Sequence, residues 1–264
     1  MLLSLSWELR NTAPEKSASY GLEAIDLATR YNDYENLAKA YSFVGVANRI
    51  MGRYSETIDY FFKGLETARE HNIPEQAGFA YLNLANLYIY QEHSSMAMDN
   101  IKKAESIALE IRNKTMLAYA YLYYGRASKL DEKNDSALFY YEKSLSIRRD
   151  LNQVNEQATC YKYIGDIYFA KGDFEKSSDY YKMSLEKLDV EQDQDLYANI
   201  LIREAMISFA QKKYREANDL ASRSLEIATD IGANMAIRDA LRVLASISIA
   251  LNDYKAAADY QEKV

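Results

Sequence analysis

The stretch "YIGDIYFAKGDFEKSSDYYKMSLEK", residues 163–187, decides the fold. Gly165 sits inside one apolar pattern, a Gly-Asp break follows at Gly172 and Asp173, and a second amphipathic pattern carries the tyrosine pair Tyr180 and Tyr181. Apolar residues three and four apart on both sides of a break predict two helices joined by a tight turn. The same arrangement returns at a fixed spacing. Stepping by 40 from Gly165 meets Gly45, Ala85, Gly125, Ala205 and Ala245, all small enough to let two helix backbones approach closely. Twelve residues after these come Thr57, Ala97, Ala137, Ser177, Ala217 and Ala257; nineteen after come Gly64, Ala104, Ser144, Ser184 and Ser224, with Val264 the departure.

Four residues before each first small position stand Tyr41, Tyr81, Tyr121, Tyr161, Leu201 and Leu241, one helical turn away on the same face. Large residues set against small ones are what close-packed helix pairs require, so the tyrosine ladder reads as packing. Turn chemistry recurs between the helices, in "MGRYSE", "EKNDSA", "AKGDFE" and "LNDYKA". At the other junction Asn32, Asn72, Asn152 and Gly232 hold one phase, suited to a left-handed helix C-cap. The repeats run approximately 1–33, 34–73, 74–113, 114–153, 154–193, 194–233 and 234–264. "LLSLSWELRN" reads as a shortened first helix, with Pro14 acceptable in the first turn of the second. Val264 falls in mid-pattern, so this reading expects the native polypeptide to continue beyond it.

Composition narrows the function classes. Only 2 Pro and 9 Gly interrupt a chain with 48% apolar residues, which points to an all-α protein with a substantial core. A net charge of −7 with interspersed signs offers no basic stripe, so nucleic acid is not an expected partner. The single cysteine, Cys160, excludes an intramolecular disulfide and a Cys-based structural metal site. No apolar run approaches the roughly 20 residues that span a bilayer, so membrane attachment would need a segment absent from this chain. His71 and His93 fall at different turns and neither pairs with Cys160 at a motif spacing, and no Gly-rich phosphate loop follows a strand; no enzyme activity and no cofactor are expected. The segment "KLDVEQDQDLY" carries Asp189, Glu191, Asp193 and Asp195 in alternation, but it lacks the turn glycine and the later bidentate Glu of a calcium loop. It reads as a solvated acidic linker.

"YKYIGDIY" at 161–168 with "SSDYYKMS" at 177–184, and "YLNLANLY" at 81–88 with "ALFYYEKS" at 137–144, resemble the two helix signatures of the tetratricopeptide repeat (TPR). The resemblance covers nearly the whole chain at a 40-residue period, against the commoner 34. It implies an all-α, right-handed α-solenoid of about seven helix hairpins, the six extra residues adding roughly 9 Å of helix to each. It also implies that the first helix of each hairpin lines a concave face. Read by phase, that lining is Lys39, Phe79, Asn83, Asn86, Tyr90, Tyr119, Tyr123, Arg126, Lys162, Tyr163, Asp166 and Arg203. Tyrosine offers rigid amphipathic area, arginine bidentate contacts to carboxylate, and asparagine a donor and an acceptor for peptide backbone. Asn83 and Asn86 match the "NLxN" feature with which some 40-residue TPR proteins hold a peptide main chain; Tyr123 with Arg126 and Tyr163 with Asp166 stand at the corresponding places, so the asparagine ladder is not continued.

Three functional readings follow. The first is a protein- or peptide-binding module, similar to the sensory TPR region of bacterial histidine kinases and transcriptional regulators, with a periplasmic location if it belongs to a membrane sensor kinase. The second is a free-standing cytoplasmic adaptor or peptide-responsive regulator. The third is a self-associating scaffold, a homodimer through the terminal stacking surface.

Overall fold

The computed structural model describes residues 1–264 as fourteen α-helices without strands. In chain order they are α1 (Leu2–Glu8), α2 (Pro14–Arg30), α3 (Tyr34–Ile50), α4 (Tyr54–Glu70), α5 (Pro74–Tyr90), α6 (Ser94–Glu110), α7 (Lys114–Leu130), α8 (Asn134–Asp150), α9 (Val154–Ala170), α10 (Phe174–Lys187), α11 (Gln194–Ala210), α12 (Tyr214–Asp230), α13 (Asn234–Ala250) and α14 (Tyr254–Glu262). Odd-numbered helices are the A helices of successive hairpins and even-numbered ones the B helices. The chain forms two compact units, Met1–Leu151 and Asn152–Val264.

Local chemistry sets the helix ends. Asn32, Asn72, Asn152 and Gly232 take left-handed backbone with φ of 54°, 53°, 53° and 68°, as their phase predicts. Beyond Asn32, Asn72 and Gly232 the chain closes a Schellman bond, for example Asp33 N–H to the Ala28 carbonyl at 2.9 Å. Restarts are capped where the sequence permits: the side chains of Asp33, Asn113, Asp173, Asp193 and Asp253 accept from the backbone N–H three residues on. The acidic segment interrupts this rhythm. There α10 spans 14 residues where the other full B helices span 17. Asp189 folds back to accept from the N–H groups of Glu191 and Gln192. No group of His, Cys, Asp or Glu side chains is arranged to hold a metal ion.

Inside each hairpin, volume is matched across the turn. Gly45, Gly125 and Gly165 on A helices face the rings of Phe61, Tyr141 and Tyr181 sixteen residues on, and each ring lies within 2.8 Å of where a Cβ would stand. All three rings are fully buried. Where the A helix carries Ala85 or Ala205, the B helix carries the smaller Ile101 or Ala221. Further along the B helices, Ser144, Ser184 and Ser224 are fully buried and donate to the carbonyls of Ala118, Ala158 and Ala198 at 2.7–2.8 Å. A buried hydroxyl has to find such an acceptor, and here it ties the two helices of one hairpin. Tyr41, Tyr121 and Tyr161 lie beside Tyr60, Tyr140 and Tyr180, with ring centroids 6.2–6.3 Å apart. The ladder is packing, as its small-large alternation predicts.

Within each unit the A helices also pack on one another, α1 on α3, α3 on α5 and α5 on α7, then α9 on α11 and α11 on α13. The B helices of successive hairpins have no equivalent contact. Hairpins that touch through their A helices and separate at their B helices fan outward, which leaves the A helices along the inner face of each unit.

Candidate peptide-binding groove

The residues expected on the inner face divide between the two units. In the first, Phe79, Tyr119 and Tyr123 press partly buried against the cluster built on Leu82, Ile101, Met116 and Tyr124. Tyr90, at the last position of α5, is 39% exposed. Asn83 and Asn86 lie one turn apart on α5 and are half-buried. The Arg126 guanidinium donates to Asn86 Oδ1 at 2.5 Å, so that side chain is held in place by the neighbouring A helix. Asn83 is different: its amide makes no hydrogen bond within the protein. Lys39 stands apart from this group, 5.8 Å from the Phe43 ring, which itself packs against Trp7 at 4.9 Å.

The electrostatics of this face are cationic. Arg126 lies 5.0 Å from the Tyr90 ring centroid and 5.7 Å from that of Tyr123. Burial pushes the Tyr123 phenol up to about 12, and the pull of Arg126 and Arg49 in the opposite direction does not offset it. Tyr123 is therefore a neutral donor at any physiological pH. Past their first turns, α3, α5 and α7 carry Lys39, Arg49, Arg126 and Lys129 and no acid; Glu35 and Glu75 both sit in first turns. The protein as a whole is acidic, so its charge is segregated by face.

In the second unit the expected residues close on one another. Asp166 is only 3% exposed. Lys162 Nζ lies 2.8 Å and Arg203 Nε 3.3 Å from its carboxylate, and the Tyr181 hydroxyl donates to it at 2.8 Å. Burial, with the Asp166 charge adding to it, holds the Tyr181 phenol well above its ordinary range. Asp166 thus differs from the expectation of a groove-facing ligand: its carboxylate serves an internal ion cluster, because Tyr181 and Arg203 reach it from two other helices. Tyr163 borders the cluster, 4.7 Å from Lys162 Nζ. On α9, α11 and α13 acids and bases are interspersed, Glu156, Asp166, Asp195, Glu204 and Asp239 among Lys162, Arg203, Arg238 and Arg242.

Two arginines near the groove escape the repeat phases. Arg49, in the last turn of α3, lies 4.9 Å from the Tyr90 ring. Arg148 of α8 is 1% exposed, with its guanidinium 4.4 Å from the Tyr119 ring. An "RRD" helix end reads as solvated surface, so nothing local to Arg148 announces its burial. Arg49 was legible only as a cation placed one residue ahead of the position that becomes Tyr90 in the next repeat.

Helix hairpins of 40 residues, small-large packing across each turn and A helices along the inner face define a tetratricopeptide-repeat α-solenoid. Comparison with known proteins agrees on that fold. No family model matches the chain. Tetratricopeptide repeat protein 29 of Trypanosoma brucei brucei is 27% identical over 154 residues, 57% of this chain and 31% of that protein. The aligned region is thus about a third of that relative's length. Among solved structures, NprR in complex with its cognate peptide NprX superposes with a TM-score of 0.73 at 17% identity, over 99% of this chain and 76% of that one. BtubC from P. vanneervenii matches with a TM-score of 0.62 at 19% identity, over 84% of this chain and 93% of that one. A signal-transduction ATPase with a tetratricopeptide repeat sensor, from Pyrococcus horikoshii, matches with a TM-score of 0.61 at 17% identity, over 94% of this chain and 42% of that one. No helix is long and apolar enough to cross a membrane.

Proposed function

We propose that the chain is a non-catalytic binding module that holds an extended peptide along the A helices of its first unit. One observation carries the reading: the Asn83 amide makes no hydrogen bond within the protein, next to an Asn86 that Arg126 holds still. A carboxamide supplies one acceptor and two donors, the complement of a peptide unit, and the tyrosines around it supply rigid apolar area at low entropic cost. The peptide complex of NprR supports the reading, since its fold is shared over nearly the whole chain. The Pyrococcus horikoshii signal-transduction ATPase, whose repeats form a sensor within a longer protein, supports the further reading that this module is the sensory part of a larger signalling protein, whether a bacterial histidine kinase or a transcriptional regulator.

The test is fluorescence anisotropy with a pool of fluorescein-labelled decapeptides. The wild-type chain should bind the pool saturably, and Asn83→Ala should weaken binding by about 1–3 kcal/mol, the range for losing a hydrogen bond at a buried contact. Undiminished binding by Asn83→Ala and by Tyr90→Ala would show that the peptide lies elsewhere.

A further inference from the structure

We infer that the peptide held at Asn83 bears a large apolar side chain with an acidic residue beside it, the first packing on Trp7 and Phe43 and the second facing Lys39. The inference rests on the peptide-binding reading and specifies the partner's chemistry. Trp7 of α1 is 40% exposed, and its indole N–H makes no hydrogen bond within the protein. Its ring is nonetheless held: the Arg10 guanidinium lies 3.9 Å from the ring centroid and donates to the Trp7 carbonyl at 2.6 Å. The Phe43 ring of α3 stands 4.9 Å away, tilted by 32° and itself only half-buried. Rigid aromatic rings give up little entropy on binding, and tryptophan leads the residues on which binding energy concentrates.

Lys39 adds the charge. One helical turn before Phe43 on the same face, its side chain is half-buried, with Nζ 5.8 Å from the Phe43 ring. No carboxylate of the protein lies within ion-pair distance of that amine. Lys162 of the second unit is the internal contrast, with the Asp166 carboxylate 2.8 Å from its Nζ. The Phe43 ring attracts the Lys39 cation through its quadrupole but does not neutralise it, so a carboxylate from the partner is the complement. The repeat supplies the register. Phe43 and Asn83 hold the same phase, one period apart, on α3 and α5, which pack directly on each other. Packed helices lie about 8–10 Å apart and an extended chain rises about 3.3 Å per residue, so the apolar anchor belongs about three residues from the peptide unit that Asn83 bonds.

The test uses the whole chain, in which Trp7 is the only tryptophan, so that its emission reports the site directly. Three pools of amidated decapeptides share a background of Gly, Ala, Ser and Thr and differ in one fixed central pair: Leu-Glu, Leu-Gln or Ser-Glu. Each is made with fluorescein for anisotropy and acetylated for emission. At about 50 mM salt the Leu-Glu pool should bind about ten-fold more tightly than Ser-Glu and about three-fold more tightly than Leu-Gln. It should also shift Trp7 emission to the blue as the indole leaves water. Phe43→Ala should reduce the Leu preference to less than about three-fold and Lys39→Gln should abolish the Glu preference, with far-UV circular dichroism unchanged for both. Equal binding of the three pools, still weakened by Asn83→Ala, would overturn the inference and leave the peptide reading standing. A Leu preference that leaves Trp7 emission unmoved would overturn the placement of the anchor, and Leu-Glu binding no tighter than Leu-Gln would overturn the acidic neighbour. Binding of none of the pools would overturn both readings together.

Discussion

At the scale of single residues, the pairing of glycine with an aromatic ring across each turn bears most of the packing. Gly125 illustrates how close the fit is: a Cβ there would stand 2.4 Å from Tyr141 Cε1, on a ring with no exposed surface. Alanine would gain about 1 kcal/mol of helix propensity, yet inserting a methyl into a filled core typically costs about 1–3 kcal/mol. The ring edge is rigid and enclosed, so the clash should win. Gly125→Ala is expected to lower stability in urea unfolding, and Tyr141→Leu should recover part of the loss in the double variant, giving a coupling energy of about 1 kcal/mol. Strict additivity would show that the two side chains do not share one volume. This pairing was only half visible in the sequence. The small positions and their 40-residue period are plain in Gly45, Gly125 and Gly165, but a partner sixteen residues away lies across a turn, where helical periodicity gives no phase.

At the scale of the helix, the turns set the regularity. A left-handed residue recurs at 32, 52, 72, 92, 112, 132, 152, 172, 212, 232 and 252. The sequence marks this conformation with glycine or asparagine at several of these positions. It gives no sign at Glu92, Arg112, Glu132 or Lys212, whose φ values are 55–61°. There hairpin geometry overrides residue preference, because packed helices on both sides fix where the chain must turn. Left-handed backbone costs an ordinary L-residue about 1 kcal/mol, a penalty glycine avoids at some expense in chain entropy. Glu132→Gly and Lys212→Gly should therefore each raise stability by a few tenths to about 1 kcal/mol, and Gly172→Ala should lower it by a similar amount. Thermal unfolding of the three variants measures this directly; a loss of stability in both glycine variants would mean that the side chains contribute contacts beyond the turn. The interruption at 188–193 was readable as an acidic, non-helical segment. The use of Asp189 and Asp193 as turn and cap acceptors depends on bonds that alternation of acids alone does not specify.

At the scale of the whole molecule, the fold and the list of inner-face residues follow from period and phase, while the character of the two units does not. Asp166 occupies the position that Arg126 holds one period earlier, and phase alone placed both on a binding surface. The difference arises from Tyr181 and Arg203, which converge on Asp166 from α10 and α11 and make it part of an ion cluster. The proposed binding is consequently placed on the first unit, where the Asn83 amide makes no hydrogen bond within the protein. That assignment is tested most directly by photo-crosslinking, with p-benzoylphenylalanine placed in turn at Phe79 on α5 and at Phe139 on α8, which is 52% exposed. Irradiation with the fluorescent peptide pool should label the Phe79 variant and leave the Phe139 variant at background. Labelling from Phe139 equal to or above that from Phe79 would contradict the account, because the peptide would then lie on the B helices and not along the inner face.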